Sequence, residues 1–511
     1  MHPKQLFSLP VLVAVMVAWA AESRSEVRLP GLFSDHMVLQ IGSPIRLWGW
    51  ADPGEEVRAT CGGAHVKTFA DETGEWILRL PPCKTGESFT ITIKGKNTVT
   101  IKDAVMGEVW LASGQSNMEF ALARATDSEK HIASSENEQI RLFTVPRLKS
   151  DKPVEDVKAS WKLCGAPTVT NFSAVAYFFA RDLQKARKVP VGIIHTSWGG
   201  SPAEVWMSDR VLSQNLDYKH AILDDYPSQF ATYQKAQLKW EQEAAAAKAE
   251  GRTFTNARPR VVWKPSELYN GMIAPLVHYP IKGAIWYQGE SNAGRAWQYR
   301  TLMADLIRNW RNDWGQEAFT FLEVQLAPYM QIKNEPSESK WAELREAQNI
   351  VASSVPKAGV AVITDVGEEK DIHPRQKEPV GARLARAARG IAYHENIIYS
   401  GPTYKRLTIK GDRAVVSFDN TGSGLQARGG ELKGFAICGE DKRWVWGKAT
   451  IQGDNVVVTS PEVSAPIAVR YGWADFPVVN LWNKEGLPAS PFRTDHFEML
   501  TQPRVQTFAK K

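Results

Sequence analysis

Residues 108–112, Glu108-Val109-Trp110-Leu111-Ala112, form a short apolar run that breaks at Ser113-Gly114-Gln115-Ser116-Asn117-Met118. Such a run, stopped by a glycine and small polar residues, reads as a buried strand ending in a turn. The rhythm recurs through the middle of the chain. Val191-Gly192-Ile193-Ile194-His195 runs into Ser197-Trp198-Gly199-Gly200-Ser201, and Ala284-Ile285-Trp286-Tyr287 into Gln288-Gly289-Glu290-Ser291-Asn292. Phe319-Thr320-Phe321-Leu322-Glu323-Val324 is a further run, and Val360-Ala361-Val362-Ile363-Thr364 precedes Asp371-Ile372-His373-Pro374. Helical patterns fill the intervals. Ser173 caps a helix to about Arg187, with Ala176, Phe179, Ala180 and Leu183 on one face. Others run from about Tyr299 to Trp314, Trp341 to Ala352 and Pro379 to Tyr393. Apolar strands alternating with helices predict an α/β unit over 103–395, a parallel sheet covered on both faces. Residues 217–251 are a polar helical insertion without chemistry of its own, read as a solvated hairpin or lid.

The flanks differ. Residues 27–102 alternate apolar and polar, as in Ile45-Arg46-Leu47-Trp48-Gly49-Trp50, with turns at Asp52-Pro53-Gly54 and Asp71-Glu72-Thr73-Gly74. This predicts a small β-sandwich. Residues 401–511 return to β character, with strands at Asp412–Phe418 and Asn455–Val458. Gly422-Ser423-Gly424-Leu425-Gln426-Ala427 fits a dinucleotide-type glycine pattern, but Arg428-Gly429-Gly430 follows it where a helix would be needed, so it reads as a loop.

Composition narrows the function classes. The 511 residues exceed one compact core, which implies two to four domains. The net charge of +6 is small for that length, and no long Lys/Arg run or nucleic-acid motif is present, which argues against a nucleic-acid partner. The 19 Trp serve mainly β-domain packing, with a minority free to stack on sugar rings. Lys4, the apolar Leu6 to Val17 and Ala18-Trp19-Ala20 read as a signal peptide over 1–20, implying a secreted or periplasmic protein. No later stretch approaches about 18 uninterrupted apolar residues, so no membrane span is expected. Cys61, Cys83, Cys164 and Cys438 form no C-x-x-C pair. Cys61 and Cys83 share one predicted β-domain and are either a pair or two buried thiols. Asn171-Phe172-Ser173 fits a glycosylation sequon. The histidines show no metal-ligand spacing and the aspartates no calcium loop.

Ligands of open parallel sheets bind beyond the carboxyl ends of the strands. Four segments sit there: Gly114 to Met118, Ser197 to Ser201, Gln288 to Asn292 and Asp371 to Pro374. Together they offer a serine, glycine-rich backbone donors, an asparagine amide and an acid–histidine pair. Acyl transfer needs this set: a hydroxyl nucleophile with a base to take its proton, donors for the oxyanion, and an acceptor that fixes the histidine tautomer.

Taken with their flanks, these segments resemble a known family. Gly114-Gln115-Ser116-Asn117-Met118, Trp198-Gly199-Gly200-Ser201-Pro202, Gln288-Gly289-Glu290-Ser291-Asn292 and Asp371-Ile372-His373-Pro374 resemble the blocks of SGNH hydrolases of the sialate O-acetylesterase branch. Gly31 to Gln40 and Leu487 to Asp495 resemble the start and end of those enzymes. The resemblance implies a flavodoxin-like sheet, a carbohydrate O-acetylesterase activity and no cofactor or metal. It implies Ser116 as nucleophile and His373 as general base. It implies an oxyanion hole of the Ser116 N–H, a Gly199 or Gly200 N–H and the Asn292 amide. Many relatives place an aspartate three residues before the histidine, where this chain has Lys370. Asp371 is the candidate third member, with a backbone carbonyl, Asp365 or Glu369 as alternatives. Gln115, Gln288 and Glu290 either meet substrate or brace the site. The implied substrate is an O-acetylated sialic acid. The alternatives are an acetylated polysaccharide such as acetylxylan or, in another class, non-catalytic carbohydrate binding.

Overall fold

The computed structural model describes residues 26–316 and 319–503. The segment read as a signal peptide lies outside them. Strands β1 (Thr98–Gly114), β2 (Asn137–Thr144), β3 (Val191–Ser197), β4 (Gly283–Tyr287), β5 (Thr320–Val324) and β6 (Ala358–Ala361) form a parallel sheet in the order β6-β5-β4-β1-β3-β2. Lys162–Cys164 closes one edge antiparallel to β2. Helices α1 (Ala174–Arg187), α2 (Ala296–Trp314), α3 (Lys340–Ser354) and α4 (Glu378–Ile391) cover it. Successive side chains on a strand point to opposite faces. Trp110 and Ala112 of β1 accordingly pack with α1 and α4, and Val109 and Leu111 with α2 and α3. Both faces are buried, which is why these strands are apolar throughout rather than alternating. The helices sit where the 3.6-residue pattern predicts, and Ser173 Oγ accepts the Ala176 N–H at 3.2 Å as the cap of α1.

α1 and α4 pack in close contact. A Cβ at Gly381 would lie 2.5 Å from the Phe178 Cβ and 2.7 Å from the Phe179 nitrogen, so the approach depends on glycine.

One strand, β1, runs through residues 102 and 103, where the change in sequence rhythm suggests a boundary. Its first half pairs antiparallel with Ser88–Lys94, which pairs with Glu56–Cys61, and its second half enters the parallel sheet. Ile45–Trp50 and Glu75–Leu80 form a separate antiparallel pair. Cys61 and Cys83 bring their sulfur atoms to 2.6 Å. Toward the C-terminus, a sheet built on Thr403–Lys410, Arg413–Asp419, Asn455–Thr459 and Lys448–Gln452 faces another containing Phe435–Cys438 and Ala468–Tyr471 across a shared apolar core. The expected insertion is a long helix, Tyr226–Ala249, whose side chains are almost all solvated. After Leu425–Ala427 the chain continues without a helix. Among the described residues no helix is long and apolar enough to cross a membrane.

Candidate active site

The order of strands reverses at β1: β3 lies on one side of it, and β4 to β6 follow on the other. The crevice at its carboxyl end is where such sheets hold ligands. Gly114 makes the exit turn with φ +136°, and a Cβ there would sit 2.2 Å from the Tyr287 oxygen. Backbone bonds tie the neighbouring loops together, Gln115 N–H to the Tyr287 carbonyl at 3.0 Å and Trp198 N–H to the Gly114 carbonyl at 3.1 Å. Ser116 opens the short helix Ser116–Glu119 and is half-buried.

His373 lies in the loop between β6 and α4. Its Nε2 is 2.8 Å from Ser116 Oγ. Asp371 Oδ1 accepts the His373 backbone N–H at 2.8 Å and lies 3.4 Å from Nδ1. The Asp371 carboxylate is 49% exposed, so water screens much of its pull on the ring. Burial lowers the His373 pKa, Asp371 raises it, and Lys377 and Arg124 lower it further. The two other acids considered are engaged elsewhere: Asp365 pairs with Arg383 at 2.6 and 2.7 Å, and Glu369 accepts the Ile332 N–H at 3.1 Å.

The expected oxyanion donors are differently engaged. The Ser116 N–H belongs to a first helical turn, where N–H groups have no intrahelical acceptor. The Gly199 N–H donates to Glu119 Oε2 at 2.6 Å, and Glu119 in turn pairs with Arg147. Gly200 adopts a left-handed conformation, φ +77°. Asn292 is buried. Its Oδ1 accepts from the Ala203 N–H at 2.9 Å and Gln288 Nε2 at 2.6 Å, and its Nδ2 donates to Glu204 Oε2 at 2.9 Å. That amide is thereby held in one orientation with one N–H still to place.

Gln115 and Gln288 are buried, Glu290 is half-buried, and all three are bonded within the protein rather than lining the cleft. Gln115 Oε1 accepts the Ser291 N–H at 3.3 Å, Gln288 Oε1 accepts the Tyr299 hydroxyl at 3.0 Å, and Glu290 Oε1 accepts from Asn117 Nδ2 at 2.6 Å. The cleft over Ser116 and His373 measures about 460 Å³, and Glu119, Arg124, Arg147 and His195 also line it. The motif reading passed over these four. Glu119 directly follows the first block and was open to recognition. The arginines carry no local signal. His195 ends a strand read only as apolar, yet its Nε2 is 2.7 Å from Ser197 Oγ. Burial pushes His195 down to about 4, so it is neutral at ordinary pH.

A hydroxyl in hydrogen-bond reach of a neutral imidazole, beside backbone donors and in an open polar cleft, is equipped for acyl transfer. Comparison with known proteins agrees. Residues 255–389 match the family described as carbohydrate esterase, sialic acid-specific acetylesterase. The sialate O-acetylesterases of Mus musculus and Homo sapiens are 28% and 27% identical to the chain, each over 94% of it and over 97% and 95% of their own lengths. A solved carbohydrate acetylesterase from Xanthomonas citri superposes with a TM-score of 0.80 at 38% identity, covering 92% of this chain and 100% of that one. The chain belongs to the sialate O-acetylesterase family of carbohydrate esterases.

Proposed function

We propose that the protein is an SGNH-type serine esterase that removes O-acetyl groups from sialic acids. The observation that carries the reading is the 2.8 Å contact between Ser116 Oγ and His373 Nε2 at the floor of the cleft. In the first step Ser116 attacks the acetyl carbonyl while His373 takes its proton. The Ser116 N–H, a glycine N–H of the 199–200 turn and the Asn292 amide stabilise the oxyanion, each donor contributing about 3–4 kcal/mol in comparable enzymes. The Gly199 N–H lies beside Ser116 but is held by Glu119, and it serves the oxyanion only by exchanging that bond; Gly200 is the alternative. The tetrahedral species collapses, His373 returns the proton to the departing sugar hydroxyl, and an acetyl-serine remains. Water activated by His373 then releases acetate. Asp371 steadies the imidazolium formed in each step.

The acid sugar is supported by Arg124. Its guanidinium lies over the Phe120 ring, 4.6 Å from the centroid, lines the cleft, and forms no ion pair among the described residues. An unpaired guanidinium beside the nucleophile suits the carboxylate of a sialic acid.

The test is acetate release from 9-O-acetylated sialic acid and from acetylxylan in parallel, with Ser116→Ala and Arg124→Gln. Ser116→Ala is expected to lose at least about 10³-fold in kcat. Arg124→Gln is expected to raise KM for the sialate about 10-fold or more, a charge-assisted hydrogen bond contributing about 1.5–3 kcal/mol, and to leave 4-nitrophenyl acetate turnover unchanged. Release from xylan alone would replace the substrate and keep the mechanism. Undiminished release by Ser116→Ala would remove Ser116 as nucleophile, and release from neither sugar would favour a binding role.

A further inference from the structure

Behind the Ser116–His373 pair lies a set of polar groups that acyl transfer itself does not use. Asn117 follows Ser116 and is fully buried. Its Nδ2 donates to Glu290 Oε1 at 2.6 Å and to the carbonyl of Ile372, the residue before His373, at 3.0 Å. Its Oδ1 accepts from Lys377 Nζ at 2.5 Å. Lys377 immediately precedes α4, is 1% exposed, and holds its Nζ 4.8 Å and 5.1 Å from the centroids of the Phe120 and Tyr287 rings. One carboxamide thus spans the ends of β1 and β4 and the loop that carries His373.

A carboxamide has a donor end and an acceptor end, and reversing it exchanges them. As an ammonium Lys377 has only donors, so its charged form forces the Asn117 oxygen to face it. The NH₂ group then faces the Glu290 carboxylate and the Ile372 carbonyl, both acceptors. Without Lys377 nothing on that side prefers oxygen, and the clamp on Ile372 loses its defined hand.

The lysine is costly where it is. A buried ammonium costs several kcal/mol unless it is paired. Among the described residues Lys377 forms no ion pair with a carboxylate; it bonds a neutral amide and meets two ring faces, and Glu290 is hydrogen-bonded to it only by way of Asn117 while acting on it through space. A methionine would fill the space between the rings without that cost. Packing therefore does not explain the residue, and its connection to both reacting groups does.

We propose that Lys377 is a positioning residue for the esterase reaction, setting the His373 loop against Ser116 through the Asn117 carboxamide. This rests on Ser116 and His373 being the reacting pair. Lys377 also acts on His373 through its charge. The groups that bear on Lys377 are Glu290 after β4, Glu368 and Asp371 after β6, and Arg124 in the turn 122–124. Burial pushes Lys377 down to about 7. It therefore gains charge as pH falls through the range below 6.5 in which His373 titrates, and that charge opposes protonation of the ring.

The experiment is the pH dependence of kcat and KM on 4-nitrophenyl acetate for the full chain, with active sites counted by a fluorophosphonate. The variants are Lys377→Met, Asn117→Ala and Ser116→Ala. Lys377→Met is expected to lower kcat per active site about 10–100-fold with KM within about threefold, the cost of a small misplacement of reacting groups. It is also expected to move the acid limb of kcat/KM to higher pH, because the charge that opposed His373 protonation is gone. Asn117→Ala is expected to lower kcat similarly without that upward move. A lower melting temperature with unchanged kcat and limb in Lys377→Met would overturn the proposal. Should Lys377→Met not fold, unchanged kcat in Asn117→Ala would overturn it equally. Retained turnover by Ser116→Ala would instead remove the underlying reading of the reacting pair.

Discussion

At the scale of single residues the proposed chemistry turns on the charge of His373. Only a neutral imidazole takes the Ser116 proton, so kcat/KM falls on the acid side as the ring binds a proton. Burial lowers the ring's pKa, so that limb is expected below 6.5. Asp371 works the other way. Asp371→Asn removes the raising influence, so the limb is expected to move to still lower pH, opposite in sign to Lys377→Met. Its kcat is expected to fall about 10–100-fold, less than for a buried triad aspartate, because the carboxylate is half exposed and 3.4 Å from Nδ1. A pH profile of kcat/KM for the two variants checks both signs. The residues legible beforehand were those whose type and place at a strand end imply a role, Ser116 and His373 above all. Lys377 was not. A lysine just before a helix ordinarily reads as surface, and only the fold reveals that Phe120 and Tyr287 close over it.

At the scale of elements, β1, β3 and β4 were legible because burial on both faces makes a strand continuously apolar. β2 was not, because Glu138 and Arg141 interrupt its pattern. Arg141 is nonetheless buried, satisfied by Asp103 Oδ2 at 2.8 Å and by the Glu138, His36 and Asp103 carbonyls at 2.7, 3.2 and 3.1 Å. Glu323 in β5 has no such compensation: it is fully buried and neither carboxylate oxygen has a partner among the described residues. Burial raises its pKa well above 4.5. A group whose pKa is raised on folding contributes stability fully below its unfolded value, and that stability is lost as pH rises toward the folded value. Glu323→Gln removes the ionisable group. It is expected to stabilise the protein by about 1–3 kcal/mol at neutral pH, with the gain shrinking toward pH 4.5, as thermal unfolding across that range would measure. Gly381→Ala acts in the other direction. It is expected to cost about 1–3 kcal/mol, because the added methyl has to push α1 from α4.

At the scale of the whole molecule, the C-terminal β-sheets are joined to the α/β unit by polar bonds that sequence patterns do not disclose. Arg345 of α3 is fully buried. It donates to the Leu326 and Ala327 carbonyls at 2.8 and 3.1 Å, in the loop after β5, and to the Ala474 and Asp475 carbonyls at 2.7 and 2.9 Å, beyond the strand Ala468–Tyr471. No carboxylate pairs with it among the described residues, and burial lowers its pKa to about 9, still leaving the guanidinium charged at neutral pH. Its function is that of a rivet: one rigid fork bonds carbonyls from two parts of the chain, and is joined by Trp341 Nε1 at Ala327 and by the Tyr329 N–H at Asp475. Arg345→Met keeps most of the volume and takes this donor from all four carbonyls, leaving Ala327 with Trp341 Nε1 and Asp475 with the Tyr329 N–H. The expected loss is about 3 kcal/mol or more, seen as a lower melting temperature. Arg443, paired with Glu462 in a fully exposed bridge of the same β-region, provides the control, and Arg443→Met is expected to melt like the parent because water screens that pair. If Arg345→Met also melted like the parent, the β-sheets would be held to the α/β unit by apolar packing and by the other polar bonds between them, such as Arg470–Glu338 and Arg493–Glu346. A selective loss for Arg345→Met would establish that a buried cation, rather than a continuous apolar seam, sets how the C-terminal region docks against the strand ends that carry the site.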